Sequence, residues 1–441
     1  MKSVGIVICN YNKRSYVMDC IRSVLDSSFQ DMDVYVVDNA STDDSVEQIR
    51  NSYQDKVTLL VNEENLGGSG GFNTGLRAVL KKEYRYLMCV DNDILMDKHN
   101  IEYLYHFLEE HPEVGMVGSK ICRMDHPDRL QELGADIVFE KSYIKPHFQD
   151  YPDNNELPEV QYCDYVPACS LMVRTSAVKE IGVLPEENFI YWDDMEWGYR
   201  FRLRGYQVAA YAKAKVYHAM GTNSGTNYFS TYYFWRNRIR FFARYTPKDK
   251  REAMLNSLLE NLFQTFYGSL YKKKQNQLKV MVYAVEDALR GCLGKAEGNK
   301  ILDKDTVENR IKKLITGKKK ILIDFDGNHK SLQNILSKAE GQEVEITIAG
   351  SRTEELQQEV QKYRLAASYR VQDYDLCFKM CEHVSKVEDT SLEVVYIDGY
   401  ENLLAEQEDI LHFSNLSYNY KLFDSIYRVL LVKLMDEINQ G

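Results

Sequence analysis

Four short apolar runs, each stopping at or just before polar residues, constrain this chain more than any other feature. Val4–Cys9 stops at Asn10-Tyr11-Asn12, Val34–Val37 at Asp38, Val57–Val61 shortly before Asn65, and Tyr86–Val90 at Asp91-Asn92-Asp93. Runs this short and this apolar read as strands, those at Val4–Cys9, Val34–Val37 and Tyr86–Val90 as buried ones, the mark of a parallel sheet. Amphipathic stretches separate them: one through about Leu25, one that turns Val46 and Ile49 inward and can be capped by Ser41 or Thr42, and one before Tyr86. Strands alternating with helices predict an α/β domain whose ligand sits at the strands' carboxyl ends. Asn10, Asn12, Asp38, Asn65, Asp91 and Asp93 fall at those ends.

Three stretches carry candidate chemistry. Asn65-Leu66-Gly67-Gly68-Ser69-Gly70-Gly71-Phe72-Asn73 is a glycine-rich loop entering a helix. Its N–H groups can face a diphosphate, or it can be a plain flexible turn. No Gly-Lys-Ser/Thr follows it, and it does not follow the first strand as a dinucleotide fingerprint does. Asp91 and Asp93, two residues apart after a buried strand, can face one divalent cation. A polar turn also suits these residues, but it does not require two acids at that place. Phe189–His218 sets Asp193 and Asp194 at a helix start between Trp192 and Trp197, followed by Gly205, the strand-like Tyr206–Tyr211 and the lone His218. First-turn acids are favoured by any helix N-terminus, so a capped surface helix is one reading. An acceptor pocket with a general base is the other.

The net charge of -11 argues against a nucleic-acid binder, because polyanions are held by basic surfaces. The nine cysteines are scattered; Cys377 and Cys381, the nearest pair, have no companion pair at metal-binding spacing. That usage predicts free thiols in a reducing compartment. No secretory leader is apparent, and no run approaches the roughly 18 apolar residues of a membrane span. The expected location is cytoplasmic, with room for peripheral contact at the inner face of the plasma membrane.

CNYN, VVDNASTDDS, NLGGSGGFNTG, VDND and WDDMEWGYR, in that order between Ser3 and His218, resemble the family 2 glycosyltransferases. More narrowly, the order resembles the bacterial galactofuranosyl- and rhamnosyltransferase branch that builds surface polysaccharides, with softer similarity to about Gly294. The resemblance implies a GT-A fold, a Rossmann-like nucleotide-sugar half joined to an acceptor half. It implies that Asn10, Asn12 and Asp38 lie at the nucleotide and that Asn65, Gly68, Gly71 and Asn73 line the nucleotide-sugar. Asp91, Asn92 and Asp93 match the DXD segment, in which the two acids hold Mn or Mg on the diphosphate of a UDP- or dTDP-sugar. His218 matches a third metal ligand, Asp194 the catalytic base with Asp193 as its neighbouring candidate, and Trp192 the acceptor or donor platform, with Trp197 beside it as a further acceptor-side residue. The acceptor implied is a glycan or a lipid-linked sugar. Inverting transfer needs a neutralised leaving diphosphate, a carboxylate in reach of the acceptor hydroxyl, and alignment of the two. The rival is a scaffold of the same fold that binds nucleotide or glycan without turnover.

Domain boundaries are expected at 1–225 for the catalytic domain, 226–317 for a helical extension and 318–441 for a small α/β accessory domain. Between the acid motifs, Val166–Val173 is expected as a strand presenting Pro167, Ala168 and Cys169, and Tyr143–Glu159 as a loop over the site. In the extension, Arg236, Arg238 and Arg240 interleave with aromatics from Tyr228 to Ala243. This predicts a basic amphipathic helix on an anionic membrane; the alternative buries the aromatics and pairs the arginines with acids. Leu278–Gly294 is expected as a further helix. In the accessory domain, Lys320–Phe325, Val344–Ala349 and Val394–Ile397 read as strands and Phe413–Ile438 as one long helix. Asp324-Phe325-Asp326-Gly327-Asn328 is superficially similar to a phosphatase nucleophile loop, but Asn328 stands where a Thr is expected. A regulatory, partner-docking or homo-oligomerising role fits that domain better.

Overall fold

The computed structural model describes the chain except residues 1, 220–224, 354–355, 357–359, 361–362, 390 and 441. It divides into two compact units, Met1–Leu258 with Lys279–Lys304 and Leu430–Gly441, and Leu259–Leu278 with Asp305–Val429. Of the stretch 226–317, residues 226–258 and 279–304 fall in the first unit and 259–278 and 305–317 in the second.

In the first unit the strands are β1 (Val4–Asn10), β2 (Met32–Asp38), β3 (Thr58–Val61), β4 (Tyr86–Asp91), β5 (Ile94–Met96), β6 (Val114–Arg123), β7 (Leu130–Glu132), β8 (Ala135–Val138), β9 (Tyr143–Pro146), β10 (Val160–Cys163), β11 (Ser170–Arg174) and β12 (Gln207–His218). The main sheet runs β10-β12-β6-β11-β4-β1-β2-β3, with β5 added to β12 and β7 to β6. β1 lies parallel to both β2 and β4, and its register sets Asn10 beside Asp38 and Cys9 beside Asp91. Strand order departs from β1 in both directions, so the crevice at these carboxyl ends is a topological switch point.

The helices are α1 (Arg14–Leu25), α2 (Ser45–Tyr53), α3 (Gly67–Val79), α4 (Asn100–Glu110), α5 (Thr175–Ile181), α6 (Asp193–Leu203), α7 (Phe229–Tyr245), α8 (Arg251–Tyr271) and α9 (Gln275–Arg290). Val4, Ile6 and Ile8 of β1 pack with Val17, Ile21 and Val24 of α1, while Val7 packs on the other face with Phe72, Leu76 and Val79 of α3. Burial on both faces is what the continuous apolar strands require.

Several local expectations are corrected. The glycine-rich stretch is the first two turns of α3, not a loop. A Cβ on Gly71 would lie 2.4 Å from Cys9 Sγ, and one on Gly75 2.2 Å from Val7 Cγ1, so these glycines let α3 rest on the sheet. β11 begins only at Ser170, leaving Pro167, Ala168 and Cys169 in the approach to it; Pro167 has no N–H for a ladder. Part of the expected loop is β9, which pairs antiparallel with β8. Neither Ser41 nor Thr42 caps α2, whose cap position is Asp44; Asp43 accepts the Ser45 N–H instead.

α7 is not a basic surface helix. Arg236 and Arg238 are 1% and 6% exposed, among buried Tyr232, Tyr233, Trp235, Phe241 and Phe242. Their guanidinium groups donate to backbone carbonyls, Arg236 to Gly294 and Asn188 and Arg238 to Ser142. A buried guanidinium needs such acceptors, and backbone carbonyls of distant segments supply them without a paired acid.

The second unit holds β13 (Lys320–Asp324), β14 (Glu345–Ala349), β15 (Arg364–Leu365), β16 (Leu376–Met380), β17 (Val395–Ile397) and β18 (Leu403–Leu404), in the order β15-β14-β13-β16-β17-β18. All pairings are parallel except β17 with β18. Its helices are α10 (Arg310–Ile315), α11 (His329–Ala339) and α12 (Gln407–Ser414), with α13 (Leu416–Gln440) completing the chain; the single helix expected from Phe413 is thus broken at Asn415. Asn328 caps α11 by accepting the Ser331 N–H, so that position serves helix initiation.

Candidate functional site

Strand pairing gathers the first cluster. Asp91 ends β4, and the turn through Asn92 and Asp93 leads straight into β5. β5 runs antiparallel to the end of β12, with His218 opposite Ile94, and the Ala219 N–H donates to the Asp93 carbonyl. His218 Nε2 comes within 3.3 Å of Asp93 Oδ1. One ligand atom each from Asp91, Asp93 and His218 lies within 4.8 Å of the others, and no other such group occurs among the described residues. Two carboxylates and an imidazole suit Mn or Mg, and one ion with bonds of about 2.1 Å closes that span with small adjustments.

The electrostatics agree. Burial pushes the Asp91 carboxyl up to about 6, and the Asp93 charge adds to the shift. Burial acts on Asp93 too, but His218 and Lys13 outweigh it and hold that carboxyl below the usual range. For His218 burial lowers proton affinity, and the bond to Asp93 more than restores it. Lys13 Nζ sits 2.5 Å from Asp93 Oδ2. It directly follows the CNYN motif, yet a single lysine in a loop gave no signal of its own.

A polar chain crosses the switch point beside this cluster. Asn92 Nδ2 donates to Asn10 Oδ1 at 2.7 Å, Asn10 Nδ2 donates to Asp38 Oδ2 at 3.0 Å, and Asp38 Oδ1 accepts the Ser41 N–H. Asn10 and Asp38 are fully buried, so they form the floor of the crevice. Asn12 is exposed, accepts the Thr42 N–H, and with Lys13, Tyr16 and Asp43 lines an open cleft of about 570 Å³. Asn65 accepts the Gly67 N–H and a bond from Asn39, a buried residue that sequence reasoning passed over. Asn73 is turned away from any ligand: it is fully buried and ties α3 to the backbone of Leu184.

The second cluster sits at the start of α6. Phe189, Tyr191 and Trp192 have φ of 65°, 63° and 67°, a left-handed conformation uncommon for such residues. Asn237 of α7 holds them there, its Nδ2 donating to the carbonyls of Asn188, Ile190 and Tyr191. Asp193 is buried and accepts from Ser69 Oγ at 2.8 Å, joining the starts of α3 and α6. Asp194 is half-buried and accepts the N–H groups of Met195 and Ala168. Burial, then the Asp193 charge, pushes Asp194 up to about 8. Burial raises Asp193 as well, against the Ser69 bond.

Both tryptophans are buried, and they differ in their partners. Trp192 is 2% exposed and packs on Phe234, Phe241 and Phe242, and its indole N–H has no partner among the described residues. Trp197 is fully buried, donates to the Gly182 carbonyl and meets the ring of Phe201 edge-on. It belongs to the core and offers no acceptor surface.

Residues 5–179 match the family model described as glycosyl transferase family 2. Similar proteins include the galactofuranosyltransferase GlfT2 of Mycobacterium tuberculosis, 24% identical over 247 residues, or 52% of this chain and 38% of that protein. The glycosyltransferase GlyG of Streptococcus pneumoniae is 30% identical over 119 residues, 26% of this chain and 38% of that one. The chain thus spans well under two thirds of either relative. Among solved structures, S. aureus TarS aligns at 18% identity and a TM-score of 0.44, covering 66% of this chain and 49% of TarS, too loosely to bear on the fold. Residues 5–179 of this chain thus match a family 2 glycosyltransferase domain.

Proposed function

We propose that this protein moves a sugar of the galactofuranose or rhamnose type from a UDP- or dTDP-sugar to a hydroxyl of a glycan or lipid-linked acceptor, with inversion, in surface polysaccharide synthesis. One observation carries the reading: a three-donor cluster of Asp91, Asp93 and His218 and a carboxyl of high proton affinity, Asp194, all in the compact unit that carries the family 2 match at residues 5–179. Asp91, Asp93 and His218 would hold Mn or Mg, which when bound supplies charge neutralisation for the leaving diphosphate. Asn12 and Lys13 border the open cleft beside β1, where the nucleotide is proposed to lie, over the floor made by Asn10 and Asp38.

In the proposed reaction the acceptor oxygen attacks the anomeric carbon as the bond to the diphosphate breaks, and the hydroxyl proton passes to Asp194. A positioned carboxylate of this kind contributes about 10²–10⁴-fold. The raised proton affinity makes Asp194 a stronger base than a solvated aspartate, and its two backbone N–H donors fix its aim. Asp193, bound to Ser69, holds the negative charge that raises its neighbour. Trp192 is proposed to wall the acceptor side. No helix among the described residues is long and apolar enough to cross a membrane.

The test is a panel of nucleotide-sugars screened for protection against thermal unfolding, with and without Mn, followed by turnover with the stabilising donor. Protection by one donor that depends on Mn, with release of nucleoside diphosphate, is expected. Binding without turnover in any acceptor panel would favour the non-catalytic scaffold instead.

A further inference from the structure

The second unit ends on a helical stretch that is apolar on two opposite faces. Between Leu416 and Val429, α13 sets Tyr420, Phe423 and Tyr427 on Phe263 and Phe266 of α8, and Asn419 donates to the Tyr267 hydroxyl. The other face carries Tyr418, Leu422, Ile426 and Val429, which are 70%, 53%, 52% and 67% exposed. At about 100° per residue these four fall within about 80° of arc, so they form one line along the helix. Scattered apolar side chains on a surface need no explanation, but a contiguous line of them does. A helix apolar all round is a helix covered on all sides.

Area, spacing and charge choose what covers it. Four side chains of this size and exposure offer about 500 Å² on one copy, so two copies face to face bury about 1,000 Å², enough for a specific interface. Tyr418, Leu422 and Val429 stand four and seven residues apart, with the small Ser425 between them, which is the spacing by which like helices interlock. A two-fold pairing brings a patch against itself, and an apolar line is complementary to its own copy. α13 carries three cations, Lys421, Arg428 and Lys433, and three acids, Asp424, Asp436 and Glu437. It therefore raises no net repulsion against a second copy. It also lacks the excess of Lys and Arg that draws a helix to an anionic lipid surface, and the chain's net charge of -11 opposes that contact. Because the other face is seated on α8, the line is held in place before association, and little freedom is lost in ordering it.

We propose that the protein pairs with a second copy of itself through this face of α13, Tyr418, Leu422, Ile426 and Val429 of each copy forming the centre of the contact. The inference does not rest on the transfer reaction, because oligomeric state is read without donor or acceptor. Sedimentation velocity of the full chain across a concentration series tests it. Wild type should show a monomer–dimer equilibrium, with the dimer prevailing as concentration rises. Leu422→Glu combined with Val429→Glu should weaken the dimer about 100-fold or more, with the far-ultraviolet circular dichroism of the chain retained. Tyr418→Ser, at the most exposed position of the line, should weaken it about 10-fold and serves as the second variant if the paired substitution does not fold. A wild type that stays monomeric at every concentration overturns the proposal. So does a dimer that is equally stable in the folded variants, because its interface then lies elsewhere. A monomeric wild type that sediments with vesicles containing phosphatidylglycerol, and loses that binding in the same variants, also overturns it and assigns the face to lipid.

Discussion

At the scale of the residue, Asp194 concentrates a conflict between stability and chemistry. Its carboxyl ordinarily titrates at 3.8 and is pushed up to about 8 in the fold, by burial and then by Asp193. The folded state therefore binds the proton more tightly than the unfolded chain, and the direction of linkage follows. The contribution is fully present below about 4, and is lost as pH rises through about 8. Asp194→Asn removes the titration, so at pH 8 the variant is expected to melt at a higher temperature than wild type, with the gap closing toward pH 4; a thermal melt series across that range reads it. The same variant should retain donor binding and lose transfer, by about 10²–10⁴-fold if the proposed base role holds. Transfer by the wild type should fall as pH drops below about 8, because the carboxylate needed to receive the hydroxyl proton is then protonated. A pH–rate profile with its acid limb in the ordinary carboxylate range would count against Asp194 as the base.

At the scale of the element, the two helices that begin at the site are fixed by quite different means. α3 is fixed by the absence of side chains. Gly75→Ala should gain about 1 kcal/mol in helix propensity but place a methyl 2.2 Å from Val7 Cγ1, and overpacking costs about 1–3 kcal/mol. The clash is with a β-branched side chain on a central strand, so it cannot yield cheaply, and a net loss in denaturant midpoint is expected. α6 is fixed by polar bonds from a neighbour. Asn237→Ala strips one amide from three carbonyls that hold Phe189–Trp192 in its left-handed turn. Each carbonyl left unpaired costs about 1–3 kcal/mol, less where water can enter. That substitution is expected to lower kcat more than donor affinity, since the turn aims Asp194 while the proposed nucleotide floor of Asn10 and Asp38 lies on the sheet. Equal losses in both, measured by turnover and by donor-dependent melting, would argue that the turn serves folding alone.

At the scale of the whole molecule, each unit has its own apolar core. In the second, Ile321, Ile323, Ile335, Ile348 and Phe378 are buried together, on elements from that unit alone. Ile335→Ala should cost about 2–5 kcal/mol there. Calorimetry is expected to resolve two transitions, of which only one moves, while Mn-dependent donor protection of the other is retained. A single transition that shifts as a whole would show that the two cores unfold as one.

By itself the sequence determined what depends on near neighbours. Apolar runs of the right length became β1, β2, β3 and β4; the acids at i and i+2 followed directly from the end of β4; and Asp193 and Asp194 opened α6. Those are local consequences of periodicity and chain direction. Sequence reasoning went wrong where a residue's partner lies far along the chain. Glycines that look like a loop became a helix because β1 leaves them no room for side chains, and arginines that look like a surface became buried because carbonyls of distant segments receive them. The return of His218 to Asp93 needed the pairing of β12 with β5, and its contact with Gln131 needed a bulge in β7. Spacing in sequence carries no record of strand register, and register alone decides which side chains meet across a sheet.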